Sequence, residues 1–117
     1  MHHSFRDMDV WKKANGLSIE VFNLSNNLPK AEDYALTSQI RKSSNSVSAN
    51  IAEAFGRKFK KDKSNLYVIS RASAYETQNH LIYGRGVGYF TKEEIDPLLE
   101  GYDELAKDLN KIMKSLN

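Results

Sequence analysis

An all-α fold, an antiparallel up-down-up-down four-helix bundle, follows from three features of this 117-residue sequence. Four segments carry apolar residues at alternating three- and four-residue steps, their connections are short, and no segment alternates with a period of two. With 40% hydrophobic residues and only two prolines, the chain reads as one domain over 1–117. No apolar run reaches the ~18 residues that would span a bilayer, and Met1-His2-His3-Ser4-Phe5-Arg6-Asp7 lacks the apolar core of a signal peptide. A cytoplasmic protein with no membrane partner is therefore expected. Zero cysteines exclude disulfides, thiol nucleophiles and cysteine-ligated zinc. A net charge of +2 says little about partners, so the clustering of charge carries more weight.

The first helix is expected over 8–27, capped by Asp7 or Asp9. Val10, Ala14, Leu17, Val21, Leu24 and Leu28 form its apolar stripe, widened by Trp11, Ser18 and Phe22. Gly16 weakens it by roughly 1 kcal/mol relative to alanine. Pro29 ends it.

The second helix, over 33–55, carries two stripes. Leu36, Ile40, Ser44, Val47, Ile51 and Ala54 fall on one side and face other helices. Gln39, Ser43, Ser46, Asn50, Glu53 and Arg57 recur at the same steps, about 100° further round. An ordered stripe of polar and small residues exceeds what a plain solvated face needs. Many serines and alanines let neighbouring backbones approach closely, and Gly56 ends the helix.

Arg57-Lys58-Phe59-Lys60-Lys61-Asp62-Lys63 is the densest charge cluster, read as a loop around one aromatic ring. The third helix follows over 64–84. Leu66, Ile69, Ser73, Glu76, His80 and Tyr83 lie on one line and Val68, Ala72, Tyr75, Asn79 and Ile82 on the next, which predicts the most enclosed helix of the four. Gly84, Gly86 and Gly88 break it. Thr91-Lys92-Glu93-Glu94 has the form of a capping box opening a fourth helix over 92–116, although Asp96-Pro97 offers a second start. Leu98, Tyr102, Leu105, Leu109, Ile112 and Leu116 give its stripe.

Gln39, Asn50, Glu53 and Arg57, with Glu76 from the third helix, are either a functional pocket or a buried hydrogen-bond network fixing helix register. The network is the better-attested device. The basic residues Arg57, Lys58, Lys60, Lys61 and Lys63, extended by Arg41 and Lys42 where these face outward, are either a solvated surface or phosphate ligands with little sequence readout. Phe59 either stacks on a base or packs into the core, and the core is favoured. Catalysis is not expected. His80 is the only histidine outside the N-terminal tail, and Glu76 precedes it by four residues, not the three of di-iron bundles, so neither metal nor cofactor is expected. Glu53 and Glu76 have no nucleophile or oxyanion site beside them. Gly84-Arg85-Gly86-Val87-Gly88 lacks the preceding strand of a phosphate loop.

Asp9-Val10-Trp11-Lys12-Lys13-Ala14, Leu28-Pro29 with Glu32, Tyr34, Leu36 and Gln39-Ile40-Arg41-Lys42, Ser46-Val47 with Asn50-Ile51-Ala52-Glu53, and Arg71-Ala72-Ser73 with Glu76 together resemble the 23S ribosomal RNA intervening-sequence, or S23, proteins. Ala54 and Ala72 stand where that pattern usually has glycine, and Leu28 where it has phenylalanine. The resemblance implies a four-helix bundle that forms a ring-shaped homopentamer. It also implies a relation to the accessory proteins of diversity-generating retroelements, which bind nucleic acid and a reverse transcriptase. A ring would repeat the basic cluster as a positive belt. The expected function is then a non-enzymatic oligomeric scaffold for RNA or single-stranded DNA, RNA being favoured, with a protein-binding or purely structural ring as the alternative.

Overall fold

The structure, a computed structural model, describes residues 2–117. It contains four helices, α1 (Asp9–Ser25), α2 (Leu36–Phe55), α3 (Lys60–Gly86) and α4 (Lys92–Ser115), with 3-10 turns at Phe5–Asp7 and Lys30–Glu32 and no strand among the described residues. Each helix packs against its neighbour in the chain and α4 closes against α1, while the backbones of the diagonal pairs stay further apart. The result is a four-cornered body of 43 × 24 × 21 Å.

On α1, α2 and α4 the apolar stripes fall where their spacing places them, except that Phe22, expected to widen that of α1, is 49% exposed. Leu36, Ile40, Ser44, Val47, Ile51 and Ala54 are all buried, as are Val10, Ala14, Leu17 and Val21 on α1 and Leu98, Tyr102, Leu105 and Leu109 on α4. Ala54 is fully buried, whereas Ala72 is exposed, so the methyl of Ala72 separates no helices within the chain.

α2 and α3 meet through hydroxyl groups. Ser43 and Thr77 share a hydrogen bond of 2.8 Å, Ser46 and Ser73 one of 2.9 Å, and the Ser70 hydroxyl donates to the Val47 carbonyl at 2.7 Å. Partner numbers rise along α2 as they fall along α3. Such short side chains bring the two backbones close and satisfy their own polar atoms in doing so. Most large residues of α3 are left outside, Tyr67 and Leu81 being buried. Val68, Ile69, Tyr75, Ile82 and Tyr83 are exposed, Ile82 by 56%, so α3 is not the most enclosed helix but the one with the most unburied apolar surface.

Several boundaries differ from the sequence expectation. Neither Asp7 nor Asp9 caps α1: Asp9 is its first residue, Met8 occupies the cap, and Ser4 caps the preceding turn. α2 begins at Leu36, not 33, because residues 30–32 form their own turn and the Glu32 carboxylate accepts the Leu36 amide at 3.2 Å. α3 is longer at both ends, taking in Lys60 through Lys63 and continuing through Gly84 to Gly86. Gly84 does not break the helix. Its missing Cβ makes room for the Phe90 ring, which a methyl there would overlap, and its carbonyl accepts the Tyr89 amide at 2.8 Å. The Thr91–Glu94 capping box opens α4 as expected, which leaves Pro97 inside the helix.

Candidate nucleic-acid interface

The basic cluster is a corner, not a loop. α2 ends at Phe55 and α3 begins at Lys60, with Phe59 as a cap residue whose side chain makes no capping bond. Lys63, one turn into α3, reaches back and donates to the carbonyls of Ala54 at 3.0 Å and Phe55 at 3.2 Å. These are among the last carbonyls of α2, where its negative dipole end favours a cation, and that of Ala54 also accepts the Arg57 amide at 3.1 Å. Arg57 donates to Glu53 at 2.7 Å, and this hydrogen bond, with the carboxylate's charge, raises the guanidinium pKa. Arg41 donates to the Ser25 hydroxyl at 2.7 Å and the Asn26 side-chain oxygen at 2.8 Å, and lies 4.2 Å over the Phe22 ring.

Three of the seven candidate cations, Arg41, Arg57 and Lys63, are therefore engaged within the chain. Lys42, Lys58, Lys60 and Lys61 are exposed and form no ion pair among the described residues. Lys42 stands about 20 Å along α2 from the corner at 1.5 Å per residue, so neither it nor Arg41 extends the cluster. What remains is Lys58, Lys60 and Lys61 at the start of α3, around a Phe59 ring that is 63% exposed. Phe59 is not core, contrary to the sequence expectation. Lys58 lies 5.6 Å from its ring centre. Three free ammonium groups beside an unstacked aromatic ring, at the positive end of a helix dipole, can hold phosphates and stack on a base.

The polar network does not form as expected. Glu53 and Arg57 pair only with each other on the surface, their side chains 51% and 49% exposed, and Gln39 makes no side-chain hydrogen bond among the described residues. Asn50 turns back onto its own helix, donating to the Ser46 carbonyl and hydroxyl at 2.8 and 3.0 Å. Glu76 bonds His80 at 3.2 Å rather than anything on α2. Register is set instead by Ser43, Ser46, Ser70, Ser73 and Thr77, hydroxyls that bury at less cost than charges. Gln39 borders a concavity of about 260 Å³ shared with Glu32, Asn79, His80 and Tyr83, where Glu32 also accepts the Tyr89 hydroxyl at 2.9 Å.

The outward face of α3 went unread in the sequence. Its signal was present: the line Val68, Ala72, Tyr75, Asn79, Ile82 lies opposite the buried Ser70, Ser73, Ala74, Thr77 and Leu81, and a helix with large apolar residues opposite its core side has a second surface to cover.

A four-helix body with an unburied apolar helix face and a basic corner defines a small all-α domain of the four-helix class. Residues 6–111 match the model of the 23S rRNA-intervening sequence protein family, and the chain belongs to that family. A crystal structure of a protein of unknown function from the S23 ribosomal protein family of Bacteroides thetaiotaomicron is similar to it with a TM-score of 0.83. Identity is 27%, over 90% of this chain and 98% of that one. None of the curated proteins matches this sequence.

Proposed function

We propose that the chain is a non-enzymatic, cytoplasmic scaffold, an antiparallel up-down-up-down bundle that assembles with copies of itself, into a pentamer by the family resemblance, and binds nucleic acid through the α2–α3 corner. RNA is favoured over single-stranded DNA. The opposed order of partners along α2 and α3 supports the topology, and the bare apolar face of α3 supports assembly. The observation that carries nucleic-acid binding is the set of three unpaired lysines around an exposed Phe59. Among the described residues no helix is long and apolar enough to cross a membrane.

The test is binding of short RNA and single-stranded DNA across a salt series. Changing Lys58, Lys60 and Lys61 to glutamine should weaken binding and lower the salt slope by about 1 for each phosphate no longer neutralised. Phe59→Ala should cost about 1–3 kcal/mol on single strands and leave duplex binding little changed. Binding untouched by the lysine changes would refute the basic-corner reading. The α3 face also favours a second reading, in which another protein covers it, a reverse transcriptase being the candidate that the retroelement resemblance supplies. Recovery of a one-to-one complex with such a partner, with no nucleic acid bound, would select that reading.

A further inference from the structure

The α3 face has an unlike counterpart on the same chain. Between α1 and α2 runs a groove of about 270 Å³, walled by Ile19, Phe22 and Arg41 and floored by Ser44 and Asn45. Ile19 and Phe22 are 53% and 49% exposed, and Lys42 stands beside the groove on the outer side of α2 without an ion pair. The α3 face is the reverse in relief and in charge. Tyr75, Ile82 and Tyr83 project from it, and among them stands Glu76, a carboxylate 58% exposed.

We infer that the outward face of α3 in one copy seats in the α1–α2 groove of the next, head to tail, with Glu76 of one copy facing Lys42 of its neighbour. This rests on the reading that the chain assembles with itself and names the surfaces that meet. Three features carry it. Pairing α3 with α3 would bring bulk against bulk and offer Glu76 no recessed cation, whereas the groove offers a recess and a cation. The Ser43–Thr77 hydrogen bond fixes Lys42 and Glu76 at one level of the bundle. Rotation about an axis parallel to the helices preserves level, so it brings those two residues together and sets Tyr75 opposite Asn45. Finally, with α1, α2, α3 and α4 adjacent in that cyclic order, the α1–α2 groove and the outer side of α3 do not face opposite ways, so successive copies turn, and with no rise along the helix axes the turn leads to a ring instead of a filament. In such a ring every copy of Lys58, Lys60 and Lys61 lies at one height, which gathers the free cations into a single belt.

Charge reversal and cross-linking test the inference together. Lys42→Glu and Glu76→Lys should each weaken assembly roughly tenfold or more, by placing like charges face to face, and the double variant should restore it to within a few-fold of the parent. Because the chain has no cysteine, Asn45→Cys and Tyr75→Cys report proximity without background. Under mild oxidation neither single variant should cross-link to itself, their mixture should give linked pairs, and the doubly substituted chain should give a ladder ending at the ring size seen by native mass spectrometry. All four positions are exposed, and circular dichroism and thermal melts check that each variant folds. If the parent assembles but Lys42→Glu is without effect and Tyr75→Cys links to itself, the head-to-tail contact is overturned while assembly stands. If the parent stays monomeric at every concentration, assembly itself fails and the inference with it.

Discussion

The two sides of α3 divide its residues by size in the reverse of the usual order. Toward α2 it presents serine, alanine and threonine, and toward solvent valine, isoleucine and tyrosine. The inner side gains from close backbone approach and paired hydroxyls, not from apolar area. The outer side holds area that the single chain never buries. Large apolar residues thus mark the core on α4, where Leu98, Leu105 and Leu109 are all enclosed, but mark an exposed face on α3.

The contrast can be broken most directly on the inner side. Leu81, fully buried beside the hydroxyl ladder, should cost about 2–5 kcal/mol when changed to alanine, read as a lower urea midpoint with unchanged slope. Thr77→Val keeps the shape and removes one hydroxyl, and should cost about 0.5–1.5 kcal/mol, since Ser43 still donates to the Ile40 carbonyl. A larger loss would mean that the ladder acts cooperatively.

Tyr102 tests the opposite bank of the core. It is fully enclosed on α4, and its hydroxyl has no partner among the described residues. Burial, with a smaller contribution from the Glu20 charge, holds the phenol pKa well above its ordinary value. The folded state therefore keeps its proton longer than the unfolded chain. The corresponding stability is complete below the unfolded value of 10.0 and is lost as pH rises toward the folded one. Tyr102→Phe should raise stability at neutral pH by about 1 kcal/mol and flatten the alkaline decline by up to about 1.4 kcal/mol per pH unit above pH 10. The smallest effect belongs to the outer side. Ile82→Ser, measured at concentrations low enough to keep the chain monomeric, should change stability by no more than about 0.5 kcal/mol while impairing assembly. A cost as large as that of Leu81→Ala would erase the distinction between the sides.

The sequence made the helices and three of the four inner stripes legible, because on α2 and α4 apolar residues occupy one side, and on α1 only Ile19 and Phe22 among the large ones lie exposed outside the stripe. On α3 they occupy the outer side while small residues face inward, and periodicity alone cannot say which of two sides meets the core. The basic cluster was visible, but its division into free and occupied cations was not. Lys63 reads like Lys60 until α2 and α3 are folded back, when only Lys63 meets the carbonyls of Ala54 and Phe55. Glu53 and Arg57 invited a buried pair through their four-residue spacing. That spacing is met equally by a surface pair along one helix, and that is what forms.

The Lys63 brace bears on how the corner meets a ligand. By tying the end of α2 to the first turn of α3, it removes the slack from the four residues between them, so Phe59 and its lysines project from a stiff elbow. A strand docking there orders little of the protein, and most of the entropy lost on binding is the strand's own. Association should then be fast and electrostatically steered, slowing steeply as salt rises, with no unimolecular rearrangement step following encounter.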